Sequence, residues 1–229
     1  MRSRHHLMTT TALGLALATT CGAAVPGASS GAALGLFAAG AAETSAAAGG
    51  TVPDGFKEVG GAANGLTVAV PRAWIALDLT RDDLGQGLKR SGLSGDALEQ
   101  TRRSLQSLVE NKAVWASDPA SVETSPHRFA TNLNGFCQAG PDTPADQVIN
   151  DARRQLGRLD ATVSEAGETS IDSGRAVRVV YTFPTHGIQI RGTQYYVRSP
   201  GRTCVVTLST DRDGRQRLFD QIGRTIRPA

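Results

Sequence analysis

Residues Ala176 to Ser209 read AVRVVYTFPTHGIQIRGTQYYVRSPGRTCVVTLS, three runs rich in Val, Ile, Tyr and Thr separated by Pro184-Thr185-His186-Gly187 and Ser199-Pro200-Gly201-Arg202. β-Branched and aromatic residues suit a pleated surface, and Pro and Gly between such runs supply the backbone angles of tight turns. The stretch therefore predicts a three-stranded antiparallel meander. With the first turn centred on Thr185 and His186, Phe183 faces Ile188, Tyr181 faces Ile190 and Val179 faces Gly192; across the second, Tyr195 meets Val206 and Val197 meets Cys204. Apolar side chains then fall on both faces. A sheet with one wet side would be apolar on one face only, so the meander is expected to be the middle layer of a sandwich. Arg178 and Arg191 are diagonal neighbours in this register, amid the second face. Two readings stand for them: a polar rim whose stems cover the sheet, or the edge of a ligand pocket.

Working outward, residues 213–226 read as a helix with Leu218, Ile222 and Ile226 as its apolar stripe, Asp211 or Asp213 as its cap and Pro228 as its stop. Residues 161–170 read as a strand that turns at Asp172-Ser173-Gly174 into the meander. Residues 143–158 read as a helix, because Val148, Ile149, Ala152 and Leu156 share a face at helical spacing. Before it, residues 129–137 form a strand with Phe129, Thr131, Leu133 and Cys137 on one face. Asn132 and Asn134 point the other way, as structural hydrogen-bonders or as ligand contacts. Residues 113–116 are a short strand followed by a polar loop. Leu98, Thr101, Leu105 and Leu108 predict a helix over residues 95–109, and Thr80 with Asp83 starts an earlier one. Residues 56–60 and 66–70 read as strands. Residues 74–79 either return as a hairpin partner or follow an irregular corner marked by Pro71 and Trp74, with Trp74 a core anchor.

The N-terminus has the order of an export signal: Met1-Arg2-Ser3-Arg4-His5-His6 is basic, Leu7 to Ala18 is apolar but too short to span a bilayer, and Gly22-Ala23-Ala24 are small. Residues 1–24 are read as signal peptide and 25–52 as a flexible Ala/Gly-rich tether, since that composition cannot bury enough surface to offset ordering entropy. Residues 53–229 then form a single domain; a chain of 229 residues with 40% hydrophobic content supports one such core once the N-terminal portion is set aside. The chain's formal charge of +3 falls to +2 without Arg2, Arg4 and Glu43, and no basic block clusters, which excludes a nucleic-acid partner.

The chain holds three cysteines. Ala18-Thr19-Thr20-Cys21 resembles a bacterial lipobox, with Ala18 and Thr20 departing from its usual residues. Two fates are open for Cys21: lipidation, which would be the chain's one link to a membrane, or loss with the signal. Either leaves Cys137 and Cys204. A disulfide between them suits an exported domain and would contribute about 4 kcal/mol in the chain-entropy model; two buried free thiols are the alternative.

Reactive clusters are scarce. A zinc site would need His127 and His186 to converge with Cys137 and Cys204, and no pair among them has ligand spacing. No Gly-x-Ser-x-Gly elbow, phosphate-binding glycine loop or dinucleotide fingerprint is present. Asp78, Asp82 and Asp83 read as a solvated helix start. The expectation is no catalytic residue, no metal and no cofactor.

The order of elements resembles the Mog/PsbP-like fold, and within it the actinobacterial exported proteins of the LpqN type. The resemblance rests on Gly65-Leu66-Thr67-Val68-Ala69-Val70-Pro71-Arg72-Ala73-Trp74, on Phe129-Ala130-Thr131-Asn132-Leu133-Asn134 and on residues 205–228, and covers about residues 54–228. It implies an α+β domain with an antiparallel sheet sandwiched between helices and no shared enzyme active site; family members act as accessory or interaction modules. The functional expectation is a monomeric, non-catalytic extracytoplasmic module, secreted or lipid-anchored to the outer face of the cell membrane, binding a protein or lipid-like component of the cell envelope. Its rival is a secreted hydrolase with a dispersed site, in which His127 or His186 approaches a Ser and a carboxylate.

Overall fold

The computed structural model describes residues 52–79, 106, 108–185 and 187–229. In these the chain runs β1 (Phe56–Gly61), β2 (Leu66–Pro71), β3 (Ile75–Asp78), β4 (Val114–Asp118), α1 (Pro119–Thr124), β5 (Thr131–Ala139), α2 (Ala145–Gly157), β6 (Thr162–Ile171), β7 (Gly174–Thr185), β8 (Ile188–Ser199), β9 (Arg202–Thr210), α3 (Gln216–Arg224) and β10 (Arg227–Pro228). The signal, the tether as far as Thr51, Cys21, the predicted helix start at Thr80 with Asp82 and Asp83, most of the predicted helix over 95–109, and His186 lie outside the described residues. Gln106 and residues 108–110 are helical, at the end of that second predicted helix.

Seven strands form one antiparallel sheet in the order β3-β4-β5-β9-β8-β7-β6, and β1, β2 and β10 form a second in the order β1-β2-β10. The meander, β7 to β9, lies inside the large sheet, with β6 outside it as the edge strand. Across the second turn the register is the predicted one, with Tyr195 opposite Val206 and Val197 opposite Cys204. Across the first it is shifted by two residues: Phe183 pairs with Ile190, Tyr181 with Gly192 and Val179 with Gln194, because the strands run on until Thr185 meets Ile188. The short connection that results contains Gly187 at φ 77, the left-handed conformation that glycine adopts without steric cost. A slip of two leaves every side chain on its predicted face, since strand side chains alternate with period two. It does separate Arg178, opposite Tyr195, from Arg191, opposite Thr182, by four positions along the strand.

Both faces are covered, as the two-sided apolar pattern requires. On one face Ala176, Tyr195, Val197, Cys204, Val206, Leu208, Leu133 and Val114 pack against Leu66, Val68 and Val70 of β2 and Phe219 and Ile222 of α3. On the other, Val177, Val179, Tyr181, Tyr196, Val205 and Phe136 pack against Val148, Ala152 and Leu156 of α2. The molecule is therefore an α+β domain whose large antiparallel sheet is the middle layer. One cover is a small sheet plus a helix.

Three local expectations are corrected. Residues 75–78 pair with β4 and join the large sheet, so Pro71 and Trp74 mark a corner between sheets, and Trp74 is buried in the core between them. The final helix is nine residues long, without a side-chain cap bond from Asp211 or Asp213; Ile222 is buried as expected, Ile226 lies beyond the helix end, and Phe219 joins Ile222 in the buried stripe. Leu218 is only partly buried. The loop after β4 contains the six-residue α1, begun by Pro119 at a position that needs no N–H donor.

Candidate functional site

β6 is an edge strand, paired among the described residues only with β7. A bulge between Val163 and Glu165 resets its register, after which Glu165 lies opposite Val180, Gly167 opposite Arg178 and Thr169 opposite Ala176. These alternate residues share the face on which α3 packs. Gly167, Arg178 and Tyr195 thus form a row across β6, β7 and β8. Between this row and α3 opens a cleft of about 490 Å³ lined by residues 165–171, Arg178, Tyr195, Asp220 and Arg224. Gly167 makes room for it: a Cβ added there would meet no atom within 4 Å.

Asp220 holds the floor together. Its Oδ1 accepts from Arg178 Nε at 2.9 Å, from the Tyr195 hydroxyl at 2.9 Å and from Gln216 Nε2 at 3.0 Å. A second guanidinium nitrogen of Arg178 donates to Glu165 Oε2 at 2.7 Å. Arg178 is thereby fixed between an edge-strand carboxylate and a helix carboxylate, with 17% of its side chain exposed. Burial alone would lower its pKa, but the Glu165 hydrogen bond and the Asp220 charge outweigh this and raise it. The Tyr195 phenol is pushed up, first by burial and then by Asp220. Arg224, in the last turn of α3, is exposed and makes no ion pair among the described residues. Next to Ile171 the turn after β6 is tied to the end of α3: Asp172 N–H donates to the Arg224 carbonyl at 2.9 Å, and Ser173 Oγ donates to that of Ile226 at 2.8 Å.

Arg178 and Arg191, diagonal neighbours in the expected register, lie apart in the structure. Arg178 lines the cleft, while Arg191 pairs with the exposed Asp213 at 2.5 Å and does not line it. The partners of Arg178 went unread because Glu165 and Asp220 lie 13 and 42 residues away. The available signal was one charge in the otherwise apolar run AVRVVY.

Cys137 and Cys204 are cross-strand partners on β5 and β9 and are joined, with sulfurs 2.03 Å apart. They sit under the Gly65 turn, whose carbonyl oxygen lies 3.2 Å from Cys137 Sγ. Gly65 takes φ 76, and a Cβ there would press on Cys137 at 3.3 Å. A shallower cleft of about 360 Å³ beside the disulfide is lined partly by Asn64, Lys112 and Arg202.

Of the two histidines that a dispersed hydrolase site would use, His127 is described and His186 lies outside the described residues. His127 is exposed; its backbone N–H donates to Ser125 Oγ at 3.1 Å, and that hydroxyl donates to the buried Asp211 at 2.5 Å. No hydrogen bond joins the His127 imidazole to either. Among the described residues no group of three His, Cys, Asp or Glu is placed to hold a metal ion. Asn132 donates to the Ala130 carbonyl at 2.8 Å, as a structural asparagine would. Asn134, wholly buried, has neither amide atom partnered, which corrects its reading as a hydrogen-bonder. No described helix is long and apolar enough to cross a membrane.

No protein-family model matches the chain, and no curated protein does so. Among solved structures the chain is similar to the cyanobacterial PsbP protein (CyanoP) of Synechocystis sp. PCC 6803, at TM-score 0.48 and 14% identity over 79% of this chain and 95% of that one. It is also similar to a Pseudomonas aeruginosa protein of unknown function, at TM-score 0.39 and 15% identity over 44% of this chain and 74% of that one. A Bacteroides thetaiotaomicron protein aligns at TM-score 0.41 and 10% identity over 72% of this chain and 45% of that one.

Proposed function

We propose that this chain is a non-catalytic, extracytoplasmic binding module of the LpqN type that takes a protein component of the cell envelope into the cleft between β6 and α3. The observation that carries the reading is the Glu165–Arg178–Asp220–Tyr195 network on the cleft floor. Its charges are held in place by one another and by the sheet. That arrangement suits recognition of a polar partner; burying the hydrocarbon of a lipid against it would strip water from ionised groups without repayment. A hydrolytic role lacks a comparable observation, since the Ser125 hydroxyl is occupied in bracing α1. The signal-like N-terminus supports export, and a disulfide between Cys137 and Cys204 suits an oxidising compartment.

The test uses Gly167→Phe, whose side chain stands in the cleft without meeting its walls at Cβ. Wild-type protein is expected to retain a specific protein from solubilised envelope fractions, and Gly167→Phe, folded to the same melting temperature, to lose it. Equal retention by both forms, or retention of lipid alone, would contradict the proposal.

A further inference from the structure

We infer that the partner enters as an added β-strand: an extended peptide pairs with the edge of β6 that no described strand occupies and lies in the slot between that edge and α3, with a carboxylate of the peptide facing Arg224. This rests on the cleft reading above and specifies its occupant. Seven consecutive residues of one strand, 165–171, line the cleft, and Asp220 and Arg224 of one helix stand across from them. A slot walled by a strand edge and a helix is the geometry in which peptides bind by strand addition, main-chain bonds giving affinity and side-chain pockets giving selectivity.

The backbone is set up for it. The two-residue turn Asp172-Ser173 closes on the pair Ile171 and Gly174. In an antiparallel ladder hydrogen-bonded and non-hydrogen-bonded pairs alternate from such a turn, so Ile171, Thr169 and Gly167 bond inward to β7 while Ser170, Glu168 and Ala166 direct their N–H and C=O groups outward. Edge strands are usually blunted by bulges, proline or inward-pointing charge. β6 has its bulge at Val163/Glu165, outside this run, and from there to Ile171 its register is regular. Gly167 carries no side chain to obstruct the approach.

Charge selects the occupant. Glu165 and Arg178 satisfy each other, and Glu168 is paired with Arg175 at 3.0 Å and Arg198 at 3.2 Å on the opposite face. Arg224 is the charge lining the cleft that is left over, and it sits at a helix C-terminus, where the carbonyl dipoles favour a cation. The ligand class is therefore an extended, β-branched-rich peptide with one acidic residue, rather than a basic peptide or a phosphate surface.

The experiment selects binders to the full-length protein from a display library of random ten-residue peptides, then measures the affinity of one selected synthetic peptide. Expected are sequences of alternating β-branched residues containing one Asp or Glu. N-methylation of alternate peptide amides is expected to weaken binding at least tenfold, without any change to the protein. Ala166→Pro, which removes an outward N–H from an edge position where proline is tolerated, is expected to do the same. Arg224→Glu should weaken the acidic peptide tenfold or more and bind better the peptide whose acid is replaced by Lys. Tight binding that survives N-methylation and Ala166→Pro but not Gly167→Phe overturns strand addition while leaving the cleft as a binding site. Selected peptides indifferent to Gly167→Phe overturn both. A protein dimer in solution that Ala166→Pro dissociates would assign the edge to a second copy and also overturn the proposal, as would selective capture by anionic vesicles with no peptide selected.

Discussion

Tyr195 crosses beneath α3 at Gly223: a Cβ on that glycine would lie 2.2 Å from the ring's Cζ. Its ring is 2% exposed and its hydroxyl is held by Asp220, so it has nowhere to move. In an exposed helix interior, replacing Gly by Ala stabilises by about 1 kcal/mol. Here Gly223→Ala is expected to destabilise by about 1–3 kcal/mol, the range of core overpacking, with urea unfolding as the measurement. Unchanged or higher stability would show that the ring is not seated as described. Gly192 serves Tyr181 in the same way, with its added Cβ 2.2 Å from Cζ. Tyr181, Tyr195 and Tyr196, the chain's three tyrosines, all have phenols pushed up chiefly by burial; Asp220 adds to the shift at Tyr195, and Tyr196 is raised further by both Tyr181 and Asp151. A folded-state pKa above the unfolded one means the native state holds its proton more tightly. Stability from these groups is therefore complete below pH of about 10, the ordinary tyrosine value, and declines as pH rises above it. Phenolate absorbance is expected to appear in one step together with unfolding; a tyrosine that ionises near pH of about 10 in folded protein would contradict the burial assigned to it.

Elements were legible where periodicity is strong and local. Val148, Ala152 and Leu156 announced α2, and the Val, Ile and Tyr runs announced β7 to β9 on their true faces. The first hairpin's register was missed by two because it depends on where the left-handed residue sits, at Gly187, which composition alone does not rank. The alternative partners of residues 75–78 were undecidable locally: the choice of β4 is made by packing around Trp74. α1 was invisible because six residues show little period, and it is held by tertiary bonds. Ser121 Oγ accepts from Thr131 N–H at 2.7 Å, and Ser125 Oγ accepts from Phe129 N–H at 2.7 Å while donating to Asp211. Ser125→Ala would strand Asp211 and the Phe129 N–H in a buried setting and take the acceptor from the His127 N–H. A loss of about 1–3 kcal/mol is expected by denaturant titration. A loss within a few tenths would mean that α1 is not braced through this hydroxyl.

For the whole molecule, the two-faced meander specified the layers, but the covers came from both ends of the chain. β2 and α3 meet over the same sheet face, where Thr225 Oγ1 accepts from Ala69 N–H at 2.8 Å across 156 residues. The disulfide belongs at this scale because it closes a span of 67 residues between two central strands. Replacing both cysteines, Cys137→Ala with Cys204→Ala, is expected to cost about 4 kcal/mol in the chain-entropy account, read from unfolding midpoints. Titration of two free thiols in unreduced, denatured wild-type protein would refute the bond.

The cleft was only half legible: Arg178 stood out of its apolar run, whereas Asp220 and Arg224 arrive with a helix far along the chain. Hydrogen–deuterium exchange of the full-length protein, with and without solubilised envelope proteins, tests the central claim most directly. Slowed exchange confined to residues 165–171 and the C-terminal half of α3 is the expected result. Slowed exchange at the opposite edge, β3, with β6 unchanged, or no change anywhere at saturating extract, would contradict it.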